Sequence, residues 1–188
     1  MKVTTFITAL ITLVFGFSSI QAQSFKVDPS HSEIGFKVKH LMISNVKGNF
    51  SKFDGSYELE KGKLTKLEGT VEVSSIDTDI EKRDNHLRSE DFFFVEKYPK
   101  MTFKMTKFNG DSVTGELTIR GVTKTVTFDA DVSGMIKDPW GNIRSAMTLT
   151  GKINRMDYGL KWNKALEAGG VVVGESVKLE IELEGIAK

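Results

Sequence analysis

The chain contains no cysteine. That excludes disulfide staples, thiolate-bound zinc and a cysteine nucleophile. Histidine is scarce, with three residues at His31, His40 and His86. His31 and His40 stand nine positions apart in what reads as extended chain, about 30 Å at ~3.3 Å per residue, too far to share an ion. There is no HExxH pair. The run "DTDIEKRDNHLR" opens like a calcium loop at Asp77, Asp79 and Glu81. It then puts Lys82 where the glycine belongs and Arg88 where the closing glutamate belongs. No metal site is expected. No G-x-S-x-G elbow, G-x-G-x-x-G or Walker motif occurs. An excess of charge of one sign is missing too, with 26 basic against 25 acidic side chains. A nucleic-acid binder would show a basic patch or a high pI.

One apolar run is present, "FITALITLVFGF" from Phe6 to Phe17. It is shorter than the ~20 residues of a membrane helix. It follows the basic start Met1-Lys2 and precedes "SSIQA", the pattern of a secretory signal peptide over residues 1–22 with a cut after Ala22. The expected mature chain is a single exported, soluble domain, residues 23–188, without stable membrane insertion.

Only three prolines but 17 glycines, with many threonines, valines and phenylalanines, suggest strands joined by tight turns. After residue 23 the dominant period is two. Ile34, Phe36, Val38 and His40 share one face of "EIGFKVKH". Phe50 and Phe53 fall on opposite parities, which suggests a bulge. Further inward rows are Leu67, Val71 and Val73; Met101, Phe103 and Met105; Val113, Leu117 and Ile119; Val126, Phe128, Ala130 and Val132; Met147, Leu149 and Ile153; and Val177, Leu179, Ile181 and Leu183. Asp129 and Asp131 alternate with the fourth of these rows and point to solvent. These rows make about eight strands with short turns, an antiparallel all-β sandwich or closed barrel.

Two segments break the pattern. In the first, near residues 78–94, Thr78-x-x-Glu81 reads as a capping box for a short helix ending near Arg88, and Ser89 or Asp91 caps a turn carrying Phe92–Phe94. The second, near residues 155–170, reads as a loop with one helical turn ending at Gly169-Gly170. Both can cover a barrel mouth. His86, flanked by Asp84 and Glu90, offers an acid/base group. The alternative is structural: Arg83, Asp84 and Arg88 tie the helix to the rim while Leu87 and the phenylalanines fill apolar space. The structural reading is preferred. His40, last in an inward row, is a hydrogen-bonded histidine near a barrel end and a candidate contact for a ligand's head group.

Small barrels enclose side chains or one small ligand. The inward rows are rich in Phe and Met, which suit an apolar site. The period places Phe36, Val38, Phe50, Val71, Val73, Phe103, Met105, Leu117, Ile119, Val126, Phe128, Met147 and Leu149 among its candidate walls, with Leu160 and Trp162 from the second insertion.

The blocks "VDPSHSEIGFKVKH", "GNFSKFDG", "SSIDTDIEKRDNHLRSEDFF", "YPKMTF", "GELTIRGVTKTV" and "RMDYGL" resemble, in order, those of the YceI-like family of exported polyisoprenoid-binding proteins. The resemblance implies a single eight-stranded, antiparallel, lipocalin-like β-barrel in the periplasm. Its apolar pocket would hold an isoprenoid quinone or polyprenyl phosphate tail for storage or transport. It makes Arg83, Asp84, His86 and Leu87 fold-defining and adds Phe92 and Phe93 to the pocket. It implies no catalysis and no cofactor beyond the lipid itself. Phe94 stands where the block often carries an acid. Two alternatives stay open: an enzyme acting on such a lipid through His40 or His86, and a solid barrel binding a protein partner. A homodimer is compatible with all of them.

Overall fold

The computed structural model describes residues 22–167 and 169–188. The expected signal peptide lies, but for its last residue, outside that range. The strands are β1 (Gln23–Val27), β2 (Glu33–His40), β3 (Ser44–Phe50), β4 (Phe53–Glu60), β5 (Lys63–Glu72), β6 (Ile76–Asp77), β7 (Lys100–Phe108), β8 (Ser112–Ile119), β9 (Val122–Val132), β10 (Ile136–Lys137), β11 (Ile143–Asn154) and β12 (Val173–Ala187), with one helix, α1 (Glu81–Arg88), after β6. All pairings are antiparallel, and the sheet closes where β11 meets β12.

The register resolves these segments into eight staves, four of them broken. β1 and β2 lie end to end along one edge of β12, Val27 opposite Gly185 and Glu33 opposite Glu182. β3 and β4 form the next broken stave, and β5 and β6 the third, since β4 pairs with β5 while β3 pairs with β6. β9 and β10 lie end to end along β11 as the fourth, and β7, β8, β11 and β12 complete the barrel. The parity slip between Phe50 and Phe53 is one of the breaks: Ser51 and Lys52 leave the ladder and bond to Ser75 instead.

At the break between β1 and β2, Asp28 caps a turn of 3₁₀ helix at Pro29–His31 by accepting from the Ser30 N–H. Arg144 donates from across the barrel wall to Asp28, Asp138 and Glu184. Asp28, His31 and Glu184 bring three donor atoms within 4.8 Å of one another. Arg144 already places a cation on both carboxylates, so the cluster works as an ion-pair clasp. The hydrogen bond to His31, aided by the Ser30 N–H and by Arg144, holds the Asp28 carboxyl down at about 2, and Arg144 holds Asp138 well below the usual carboxylate range. A depressed folded-state pKa contributes stability above the unfolded value of about 3.9, which is lost as pH falls through the folded value. The urea midpoint is therefore expected to drop between about pH 4 and pH 2. In Asp28→Asn the drop should be shallower; an identical profile would show that the clasp does not drive it.

The interior divides along the barrel axis. At the end carrying the described chain termini, a cluster around Phe25, Tyr57, Leu59, Val113 and Met147 fills the lumen. Phe25 and Tyr57 stack with centroids 5.0 Å apart, and the Tyr57 hydroxyl donates to the Ser145 carbonyl at 2.7 Å. Toward the other end, a second cluster includes Phe50, Val71, Ile76, Phe92, Ile119 and Leu160. Both insertions sit at this second end, and the β8–β9 turn fastens them together. Arg120 donates to the carbonyl of Phe92 in the first and of Gly159 in the second, at 2.8 and 2.9 Å.

The helix ends at Arg88 as the sequence indicates, but the capping box is not formed. Ile80 occupies the N-cap without a side-chain bond, because Thr78 gives both its N–H and its hydroxyl to the buried Asp84 carboxylate. Ser89 closes this helix, its hydroxyl donating to the His86 carbonyl; the expected turn carrying Phe92–Phe94 does follow, held by the Ser89 carbonyl, which accepts from the Phe92 and Phe94 N–H groups, and not by a side-chain cap. The second insertion holds a 3₁₀ turn at Arg155–Tyr158 that ends on Gly159 (φ 78°), ten residues before the expected glycine pair.

A candidate ligand cavity

Between the two clusters the barrel encloses a cavity of about 190 Å³ with an almost wholly apolar wall. Three phenylalanines of the wall, and Tyr57 in the filled end, show how ring placement sets the width of the lumen. Phe36, Tyr57, Phe103 and Phe128 each occupy the place where a strand glycine would carry its side chain. An added Cβ would lie 2.6 Å from the Phe36 ring at Gly48, 2.7 Å from Tyr57 at Gly185, 2.4 Å from Phe103 at Gly115 and 2.7 Å from Phe128 at Gly151. The rings are seated against the wall over bare backbone.

Of the residues the sequence nominates for the wall, the strands supply Phe36, Val38 and Phe50, then Val71, Phe103 and Leu117, then Ile119, Phe128 and Leu149. The insertions supply Phe92, Phe93 and Leu160. Val73, Met105, Val126, Met147 and Trp162 stand off the wall. Met105, Val126 and Met147 face inward but belong to the filled end, beyond the reach of the cavity. Val73 is buried in a 3₁₀ turn where the β5–β6 stave breaks. Trp162 lies outside, edge-on to His86 at 4.9 Å and tilted against Phe92 at 5.3 Å.

The wall also includes residues not nominated. Val177, Leu179, Ile181 and Leu183 of β12 line it. Their period marked them as inward, but period says nothing about depth along the axis. Phe53, Leu67 and Met101 line it for the same reason. Leu87, assigned to the structural motif, reaches the wall from α1.

Five polar residues border this apolar space, Glu68, Thr70, Thr102, Arg155 and Tyr158; the two that are buried, Arg155 and Tyr158, come from the 3₁₀ turn of the second insertion. Arg155 has no carboxylate partner among the described residues. Its guanidinium donates to the carbonyls of Gly174 at 2.8 Å, Val173 at 3.2 Å and Leu160. Burial lowers its pKa, with Glu175 opposing. Burial likewise pushes the Tyr158 phenol up to about 12. Among the described residues, the Tyr158 hydroxyl is the one buried side-chain polar atom without a hydrogen-bond partner. Both fall in the "RMDYGL" block that resembles the family, but no hydrophobic period marks either as bordering the cavity, since a polar residue in a loop reads as solvent-facing.

The histidines stand apart from the cavity. His86 Nε2 and Asp91 Oδ2 lie 2.9 Å apart on the partly exposed outer side of α1. Its acid partner is thus Asp91; Asp84 is taken up by Thr78. Arg83 also binds Thr78, at the hydroxyl and the carbonyl, so Arg83, Thr78 and Asp84 form one knot under the helix. His40 ends β2 opposite Val173, at the rim and off the wall.

The YceI-like domain matches residues 25–185 of this chain. A UPF0312 protein of Staphylococcus epidermidis is 47% identical over 163 residues, covering 85% of this chain and 95% of that protein. The crystal structure of a YCEI protein from Campylobacter jejuni superposes with a TM-score of 0.69 at 32% identity, covering 96% of this chain and 99% of that one. A polyisoprenoid binding domain from Saccharophagus degradans shares the fold, with a TM-score of 0.65 at 16% identity over 87% of this chain and 98% of that one. Sequence and fold agree over nearly the whole length of the barrel, and the chain belongs to the YceI-like family.

Proposed function

We propose that this protein is an exported, non-enzymatic carrier that holds a long-chain isoprenoid lipid, a quinone or a polyprenyl phosphate, by its hydrocarbon tail. The observation that carries this reading is the apolar cavity within the barrel, with rings seated over glycines so that the lumen stays open. The Saccharophagus domain of the same fold is described as polyisoprenoid-binding. Neither His40 nor His86 borders the cavity, so the two groups on which an enzymatic reading would rest stand away from an enclosed chain. The site acts in the periplasm, for storage or transport.

The volume sets how the lipid sits. A 150 Å³ apolar cavity holds benzene, so about 190 Å³ holds roughly one to two five-carbon units. At ~0.3 kcal/mol per heavy atom, some ten enclosed carbons contribute roughly 3 kcal/mol, and thirty would contribute roughly 9. Firm retention therefore needs the rest of the chain against protein too, continuing past Val38 and Val173 toward the mouth. The unpartnered Tyr158 hydroxyl is where an oxygen of the lipid would gain a hydrogen bond.

The test is to purify the exported form without detergent, extract it with organic solvent and identify the lipid by mass spectrometry. A stoichiometric isoprenoid is expected, and its loss in Phe103→Asp, which places a carboxylate on the wall. Should that variant fail to fold, Leu117→Trp fills the same space with apolar atoms. A lipid-free extract from folded wild type, or an undiminished load in Leu117→Trp, overturns the reading.

A further inference from the structure

We propose that the β2–β3 hairpin tip, Leu41-Met42-Ile43, is a membrane-docking lip that seats the cavity mouth on an anionic lipid surface. The turn is built against its own residue types. Leu41 and Met42 both have left-handed backbones, φ 50° and 65°. The two-residue hairpins between β4 and β5 and between β8 and β9 place Lys61-Gly62 and Arg120-Gly121 at their two left-handed positions, with glycine second, where this three-residue tip has no glycine. A bulky L-residue in that region is disfavoured by roughly 1–2 kcal/mol, and Asn-Gly is the sequence that two consecutive left-handed positions prefer. The residues kept at this cost are apolar and face solvent, with Leu41 38%, Met42 53% and Ile43 82% exposed. Packing of the barrel does not account for them.

Position and charge identify the occupant. The Leu41 N–H donates to the Val172 carbonyl, and His40 pairs with Val173, a residue of the cavity wall. The lip is thus one residue from where the cavity reaches the rim. Met42 rests against Gly170 of the second insertion, adding Leu166 and Val171 to the same edge. The two rim segments, residues 37–47 and 161–175, carry Lys37, Lys39, Lys47, Lys161 and Lys164 against two acids, Glu167 and Glu175, in a chain with 26 basic and 25 acidic side chains overall. Of these five lysines, only Lys37 is ion-paired among the described residues, with Glu180. Apolar side chains flanked by free lysines match an interface of acyl chains under anionic head groups. Such docking is peripheral: no described helix is long and apolar enough to cross a membrane. The proposal supplies the entry step for the carrier function and rests on that reading for its purpose, but is measured separately from it.

The test is co-sedimentation of the mature protein with vesicles of phosphatidylcholine containing one-third phosphatidylglycerol, beside vesicles of phosphatidylcholine alone. Wild type should bind the anionic vesicles, and more weakly as salt rises. The double variant Leu41→Asn/Met42→Gly gives the turn its preferred residues, so it should unfold at higher urea than wild type while vesicle binding falls about tenfold or more. Trp140, 81% exposed at the opposite end of the barrel, is the control, and Trp140→Ser should bind as wild type does. Undiminished binding by the double variant, loss of binding in Trp140→Ser, or equal binding to neutral vesicles overturns the proposal. So does a change from dimer to monomer in the double variant, which would mark the lip as a contact with a second copy. Lipid extracted from the same preparations reads the carrier function: a full load with no vesicle binding sinks the lip alone.

Discussion

Replacing Arg155 by methionine is expected to unfasten the second insertion and cost the fold about 3 kcal/mol or more. The side chain is 4% exposed and holds three carbonyls. The Val173 carbonyl keeps a second donor in the Asn163 amide, at 2.7 Å. The Gly174 and Leu160 carbonyls lose their charged donor, and each such bond is worth about 1.5–3 kcal/mol net. Methionine approximates the volume, so the loss reads the hydrogen bonds more than a cavity. Removing an unpaired buried charge works in the opposite direction. It does not cancel the loss, because the two carbonyls are left half-buried or buried without a partner. Lysine should rescue little, since one ammonium on a flexible stem cannot reproduce the planar fork that spans the Leu160 and Gly174 carbonyls. Hydrogen exchange should rise first at residues 159–174, and lipid retention should fall because Leu160 and Val173 form part of the wall. A urea midpoint unchanged in Arg155→Met would mean that the insertion is held by Arg120 and its apolar contacts alone.

That arginine marks the limit of what the sequence shows about this site. The alternation of Ile34, Phe36 and Val38, and of Val177 through Leu183, is a direct trace of the pleat, so the staves and their inward faces are legible residue by residue. The break at Phe50/Phe53 is legible as well, because a skipped residue reverses parity. Depth is not. Met105 and Met147 have the same period as Phe103 and Leu149, yet one pair sits in the filled end and the other on the cavity. What separates them is the shape of the lumen, which depends on rings contributed by distant strands. Thr78-x-x-Glu81 misleads for a related reason. A buried Asp84 three residues further on competes for the threonine and wins, because a buried carboxylate left unsatisfied costs more than an open helix end. Arg155 and Tyr158 give no periodic signal at all.

The glycine seats make the second large prediction. Gly115→Ala is expected to destabilise the barrel by about 1–3 kcal/mol and to lower the lipid load, because overpacking a filled wall forces side chains and backbone to shift. The new methyl would stand 2.4 Å from the Phe103 ring and 2.6 Å from the Lys104 carbonyl oxygen. The ring can swing only into the cavity it lines; the carbonyl is fixed in the sheet. Gly151→Ala meets the Phe128 ring at 2.7 Å but its nearest backbone oxygen, that of Thr127, at 3.3 Å. The two sites should therefore respond differently to one remedy. Phe128→Leu should restore most of the stability lost in Gly151→Ala, whereas Phe103→Leu should restore little in Gly115→Ala, where the backbone contact remains. Urea midpoints of the four variants, with lipid extracted from each, decide it. If Gly151→Ala keeps wild-type stability and a full lipid load, the ring over it is free to move and the seats do not hold the lumen open. If both double variants recover alike, the contact with the Lys104 carbonyl carries no strain, and the rings alone set the width of the cavity.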